Sequence, residues 1–410
     1  MTDRLIVRNA QIDERDDAID LVVEDGRIVA IEAAGVAGTG ARMLDVAGRY
    51  VSPGFVETHI HLDKSCIVDR CQTGEGTLAA AIREVARAKA AFTVDDVHAR
   101  AARTIERAIL QGTTRMRTHV EVDPGIGLRG FDGVQSLVDE YRWAIDLELC
   151  VFPQEGLTDN PGTEELLVEG LRRGAKVVGA APYVDRDPHA QIDRIFALAR
   201  DFDVPIDMHL DFTLDVSKMD VEYVCAKTRE HRYEGRVAIG HVSTLSALAK
   251  ERFDAVASML ADAGVAVTVL PSTDLFLMGR GADRDVPRGV APVHRLVQAG
   301  VGASLATNNV LNPFTPYGDC SLVRMANLYA NVAQLGQRDE LALCHSLVTR
   351  HAARILGVDD HRIVPGAPAD FVVLDCRSAA QAIAELAAPL YVFKHGRMTV
   401  SRAPAVLHRR

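Results

Sequence analysis

Residues 50–64 read YVSPGFVETHIHLDK, and within them His59 and His61 are the residues most able to do chemistry. An apolar, β-prone run from Tyr50 to Val56 ends in two histidines one residue apart. Side chains at i and i+2 of a strand point to the same side, so both imidazoles can reach one ion from one strand end. Neutral imidazole is the commonest protein metal ligand and suits zinc and iron. His209 and His241 also close β-prone runs. Four imidazoles can hold one divalent ion, or three can bind it while the fourth works on the bound water. The ion would lower the pKa of that water toward neutrality and so supply hydroxide.

These residues need a scaffold that brings distant strand ends together. β-prone runs occur at 50–58, 114–122, 147–154, 176–183, 204–211, 236–243, 264–271 and 301–307. Between them, segments such as 78–91, 95–111, 189–202 and 218–232 carry helical apolar periodicity. Eight strands alternating with helices predict a (β/α)8 TIM barrel, an α/β fold. Polar residues collect at the C-terminal strand ends, where such barrels keep their active sites. They are His59 and His61, His119 and Glu121, Gln154, Tyr183 and Asp185, His209 and Asp211, His241, and Asn308 and Asn309. His119 reads as a packing or supporting residue rather than a ligand. Asp274 and Arg280 lie in a long segment after the seventh strand that is expected to cover the site, and Phe212, Phe276 and Leu277 offer it an apolar wall. His98, His189, His231, His345, His351 and His361 read as helix or loop residues without partners.

Short β-prone runs also mark both ends of the chain, at 4–9, 20–24 and 27–32, and again at 362–374, 389–394 and 397–401. They predict one small β-sandwich built from both termini. Its expected bounds are 1–52 and 360–410, with the metal-dependent barrel over 53–359.

Composition narrows the function. The 410 residues are 48% apolar and 25% charged, the balance of a folded protein with a large core. A net charge of −10, with no dense basic run before the last residues, argues against nucleic-acid or anionic-membrane partners. Seven scattered cysteines without a CxxC fit reduced thiols in a cytoplasmic protein. The charged N-terminus is unlike a signal peptide, and no apolar run is long enough for a transmembrane helix.

In combination, HIHLDKS at 59–65, RTHVEV at 117–122, VFPQEG at 151–156, DMHLD at 207–211, GHVS at 240–243 and NNVLNPFTPYG at 308–318 resemble the amidohydrolase superfamily. The resemblance spans nearly the whole chain, ends in PGAPADFVVLD at 365–375, and lies nearest the cytosine deaminase-like branch, which includes s-triazine hydrolases. It implies a hydrolase that cleaves a carbon–nitrogen bond in a small N-heterocycle or amide. It implies one divalent metal per subunit, zinc or iron with manganese as a third candidate. His59, His61 and His209 would be ligands, and His241 would orient the hydroxide. Lys64 and Asp185 match catalytic or substrate-facing positions, and Gln154 matches a glutamine that contacts the substrate ring. Asn309 and Phe212 are expected in the substrate pocket. The strand-four end lacks a lysine, so the site is expected to hold a single ion. Two departures stand out. Asn308 occupies the position where relatives carry a metal-binding, proton-accepting Asp, and Phe212 replaces a Glu. An amide oxygen can coordinate a metal but is not a general base, so the proton must go to His241, Asp185, Asp211 or Lys64. The alternatives are a hydrolase that opens a lactam or imide ring, and a catalytically impaired binding protein on the same fold. The expected partners are a small-molecule substrate and further copies of the chain as a homo-oligomer, with no nucleic acid and no membrane.

Overall fold

Runs too short and too β-branched for helices form a parallel sheet of eight strands: β1 (Phe55–Ile60), β2 (Thr113–Glu121), β3 (Asp146–Phe152), β4 (Val177–Ala180), β5 (Ile206–Leu210), β6 (Val237–His241), β7 (Val265–Val269) and β8 (Ala303–Leu305). The computed structural model describes residues 4–408 except 14, 37–40, 73–75 and 404. Each strand pairs with its neighbours in sequence, and the ring closes where the segment after β8 meets β1. There Asn308 N–H donates to the His59 carbonyl at 2.8 Å, and His61 N–H donates to the Asn308 carbonyl at 2.9 Å. The strands are buried on both faces, as a sheet wrapped by helices requires. The helices start on local signals: Thr93 caps 94–110 by accepting from Asp96 N–H, and Asp187 caps 188–202 ahead of Pro188.

Both ends of the chain build the second layer. Arg4–Ile12, Arg15–Glu24, Arg27–Ala33 and Arg42–Asp45 form one half, and Tyr50–Pro53, Phe371–Leu374, Pro389–Lys394 and Arg397–Ser401 the other. The strand ladders of the halves meet at Gln11 with Tyr50, and the segment before Phe371 adds backbone bonds to Gly26 and Ile28. Leu5, Val7, Leu21 and Ile28 from one half share a core with Val51, Phe371, Val373 and Phe393 from the other.

The run expected as one barrel strand over 50–58 divides at Gly54. Residues 50–53 pair antiparallel with 371–374, and only 55–60 enter the barrel. The cause is a close approach: a Cβ on Gly54 would lie 2.2 Å from Thr114 Oγ1 and 2.8 Å from its Cβ. Among the described residues, no helix is long and apolar enough to cross a membrane.

Candidate metal centre and active site

β1 delivers His59 and His61 to the C-terminal mouth of the barrel, and β5 delivers His209. Their Nε2 atoms converge: His209 Nε2 lies 3.0 Å from that of His59 and 3.0 Å from that of His61. Nitrogens bound to one ion at about 2.1 Å must lie within about 4.2 Å of each other, and His209 Nε2 meets that limit with both His59 and His61. Burial holds the rings neutral, the form that binds metal: it lowers His59 to about 3 and keeps His61 and His209 well below the usual range. Gly240 on β6 makes room for the cluster, since a Cβ there would lie 3.2 Å from His59 Cε1.

His241 closes β6 with φ of 70°, and Asn308 follows β8 with φ of 64°. Non-glycine residues at such angles are uncommon and gather where side-chain aim matters. His241 Nε2 lies 3.5 Å from Asn308 Nδ2, and Asn308 Oδ1 is buried without a hydrogen-bond partner. An orphaned acceptor beside three converging imidazoles is what a cation site needs. On its other side, His241 Nδ1 sits 2.6 Å from Asp274 Oδ1. With Asp274 as acceptor, Nδ1 carries the ring proton and Nε2 is left bare toward the site. Phe212 stacks on the His241 ring with centroids 3.7 Å apart. Asp274 lies on a short helix, Pro271–Leu277, directly after β7.

Lys64 is buried at the mouth. Its Nζ donates to Glu121 Oε1 at 2.5 Å and to Gln154 Oε1 at 3.0 Å, and lies 4.5 Å from the centre of the Phe314 ring. Gln154 Nε2 is buried without a settled hydrogen bond and faces the Tyr183 hydroxyl. Glu121 also meets Lys89, which bonds Asp123 at 2.6 Å and pairs with Glu155. Lys89 thus sits among Glu121, Asp123 and Glu155 and offsets their charge.

Two residues expected in the pocket are turned elsewhere. Asp185 accepts from Thr158 N–H at 2.9 Å, Thr158 Oγ1 at 2.9 Å, Leu157 N–H at 3.1 Å and Gln191 Nε2 at 2.7 Å. It ties the loop after β3 to the segment after β4. Asn309 Oδ1 accepts from Asn312 Nδ2 at 2.7 Å and shapes the loop after β8. Asp211 likewise accepts from Asp220 and Val221 N–H. The segment after β7 does approach the site through Asp274 and Leu277, while Arg280 lies over the Phe276 ring at 4.4 Å. Several histidines expected to lack partners have them: His345 meets Ser52 at 2.9 Å, His361 the Gly54 carbonyl at 2.6 Å, and His98 pairs with Glu140 at 3.0 Å.

The amidohydrolase family model matches residues 135–400. The chain belongs to the amidohydrolase family. It is 30% identical over 409 residues to an N-isopropylammelide isopropyl amidohydrolase of Pseudomonas sp. (strain ADP), covering 97% of each chain. Among solved structures it resembles a 5-methylcytosine deaminase from Klebsiella pneumoniae, with TM-score 0.94, 26% identity and 99% of each chain covered. An N-isopropylammelide isopropylaminohydrolase from Burkholderia multivorans superposes with TM-score 0.85 and 29% identity, over 97% of this chain and 98% of that one. Amidohydrolases of this kind are metal-dependent hydrolases of carbon–nitrogen bonds other than peptide bonds, and the histidine cluster fits that chemistry.

Sequence reasoning left three neighbours of the cluster without a role. Asp207 lies two residues before His209, so strand alternation places it on the same face. Arg117 stands two before His119 in the same way. Asp274 was in view only as part of a covering segment, because its pairing with His241 joins two separate crossovers.

Proposed function

We propose that this amidohydrolase removes an amine or ammonia from a small, planar N-heterocycle. The observation that carries the reading is the convergence of His59, His61 and His209 at 3.0 Å beside the His241–Asp274 pair. We assign the three histidines and Asn308 Oδ1 as the groups that hold one zinc or iron ion per subunit, with manganese as a substitute. Bound there, the ion supplies a nucleophile at neutral pH by lowering the pKa of water.

The remaining work falls to the chain's own groups. His241 Nε2 takes the proton of the attacking water, with Asp274 holding the ring in the tautomer that leaves Nε2 free. Stacking by Phe212 fixes the plane of that ring and keeps bulk water from it. Lys64, the buried cation at the mouth, donates a proton to the departing nitrogen and is held for this by Glu121. Gln154 Nε2, which makes no settled hydrogen bond and faces the Tyr183 hydroxyl, is the donor for an acceptor on the ring. Asp185 and Asn309 act by positioning the loops they hold. The bounds 1–52 with 360–410 and 53–359 describe the two layers in this reading. Seven free cysteines support a reducing, cytoplasmic setting, and assembly into a homo-oligomer is read directly by light scattering.

The test is purified enzyme, restored with zinc, iron or manganese, against amino- and alkylamino-substituted pyrimidines, pterins and triazines, with ammonia and alkylamine both assayed. Release of either supports the proposal. Hydrolysis of lactams or imides without amine release replaces it with ring opening, and tight binding without turnover replaces it with a binding protein.

A further inference from the structure

His119 adds a fifth histidine to this centre, beside His59, His61, His209 and His241, and geometry alone leaves two ligand sets open. His59, His119 and His209 each offer a nitrogen within 4.8 Å of the others, a set in which His119 stands in for His61. The His119 ring lies on that of His59, with centroids 3.7 Å apart. Asp207 separates the two sets. Its Oδ1 faces His119 Nε2 at 3.5 Å and His59 Nδ1 at 3.7 Å. These distances exceed a settled hydrogen bond, and Asp207 Oδ1, His59 Nδ1 and both His119 nitrogens are buried without hydrogen-bond partners. A nitrogen turned to a carboxylate is not turned to an ion, and a ring whose Nδ1 is held this way presents Nε2. Asp207 is itself held from below. Arg117 Nη1 meets Asp207 Oδ2 at 2.9 Å, and Arg117 Nε meets Glu148 Oε1 at 2.6 Å. Arg117 is 2% exposed, yet it and Glu148 line a cavity of about 490 Å³ at the N-terminal end of the barrel, with Ile206, Val237, Leu260 and His351. An ion-pair chain therefore runs along the barrel axis, from that cavity to the back of His59.

We infer that Asp207, anchored by Arg117 and Glu148, is the positioning residue that aims His59 Nε2 at the ion and withholds His119 from it. This rests on the metal centre proposed above. It makes His119 a partner of Asp207 rather than a ligand. It also makes the orientation of His59 depend on a salt bridge that opens on the far side of the barrel from the chemistry.

The test reads metal binding rather than turnover. Apo-protein is titrated with Co²⁺ against a competing chelator, the visible ligand-field bands are recorded, and the thermal midpoint of each apo-variant checks folding. His119→Asn should bind Co²⁺ within about 3-fold of wild type with unchanged bands. His61→Ala should lose the bands. Asp207→Asn should bind roughly 10–100-fold more weakly and shift the bands. Arg117→Ala should weaken binding too, and methylguanidinium, small enough to enter the cavity beneath, should restore much of it. Should Asp207→Asn fail to fold, Arg117→Lys carries the test, because it keeps the charge but loses the fork that grips Asp207 and Glu148. The inference is overturned if His119→Asn removes Co²⁺ while His61→Ala retains it. It is equally overturned if Asp207→Asn, or Arg117→Lys in its place, binds and absorbs like wild type. Wild-type protein that takes up no Co²⁺ refutes the metal centre itself, and this inference with it.

Discussion

At the scale of single residues, the centre turns on a missing charge. After the eighth strand, Asn308 offers a neutral amide oxygen, where the sequence resemblance leads one to expect a carboxylate; it can touch a cation but cannot accept a proton. In the proposed mechanism the proton passes to His241, whose Nδ1 is gripped by Asp274 at 2.6 Å. We expect His241→Asn and Asp274→Asn each to lower kcat by about 10²-fold or more, while metal content by atomic emission stays near that of the wild type. A variant that keeps full rate removes its residue from the mechanism. We further expect Asn308→Asp to bind metal more tightly without raising turnover of the substrate found by amine release. The added negative charge would lower the electrophilicity of a bound ion, and in the proposed mechanism His241 already takes the proton. A large gain in deamination would show instead that the site had merely lost its base. His59 and His61 were legible as a pair because strand alternation puts both on one side, and His209 and His241 because each closes an apolar, β-prone run. Asp274 was not, since nothing in the sequence ties residue 274 to residue 241. Asp207 could have been found, because it lies on the same strand face as His209.

At the scale of elements, the barrel strands were legible because buried parallel strands leave short apolar runs between amphipathic helices. The division of 50–58 was not, because the run is uniformly β-prone and the reason for the break lies on another strand. Gly54 sits against Thr114 with no room for a Cβ. Gly54→Ala should therefore cost about 1–3 kcal/mol, seen as a lower urea midpoint with an unchanged m value. A midpoint equal to wild type would mean that the strands separate at that point without penalty. The same junction carries a titration. His345 sits against Tyr50 and Phe55 and meets Ser52 Oγ, whose own proton goes to the Pro53 carbonyl, so His345 Nε2 is the donor. Burial lowers His345 from the ordinary 6.5 to about 4. The unfolded chain thus takes up a proton below pH 6.5 that the folded chain refuses until about pH 4. The stability is complete above pH 6.5 and is lost as pH falls toward 4, by about 3 kcal/mol in all. In urea titrations between pH 4.5 and 7.5, His345→Gln should flatten that part of the slope. Other buried histidines titrate in the same direction, so the difference between the two proteins is the quantity to read. Parallel slopes would mean that His345 is protonated in the folded state.

At the scale of the whole molecule, both ends of the chain predicted a single β layer, and its attachment to the barrel is the part no local pattern announced. Lys394, on the strand Pro389–Lys394, is 1% exposed. Its Nζ meets Asp370 Oδ2 at 2.7 Å within the terminal layer, and Asp146 Oδ2 at 2.7 Å at the start of β3. Arg115 on β2 reaches the same two carboxylates, at 2.9 Å and 3.7 Å. Burial alone would raise the Asp370 carboxyl, but Lys394 outweighs it and holds that group below its usual range. The clamp joins residues far apart in sequence, so neither its lysine nor its aspartates stand out from ordinary surface charges when read along the chain. Removing one partner of a buried pair costs about 3–5 kcal/mol when the other charge is left stranded, an upper bound here because Arg115 still reaches both carboxylates. Lys394→Met should lower stability by that order, and Lys394→Met combined with Asp370→Asn should lose less than the sum of the two single changes. Because the clamp couples the layers, heating should give one transition in the wild type and a broadened or split one in Lys394→Met. Calorimetry reads both. A loss under about 1 kcal/mol, the value of an exposed pair, or two separate transitions in the wild type, would mean that the terminal layer and the barrel are stabilised independently.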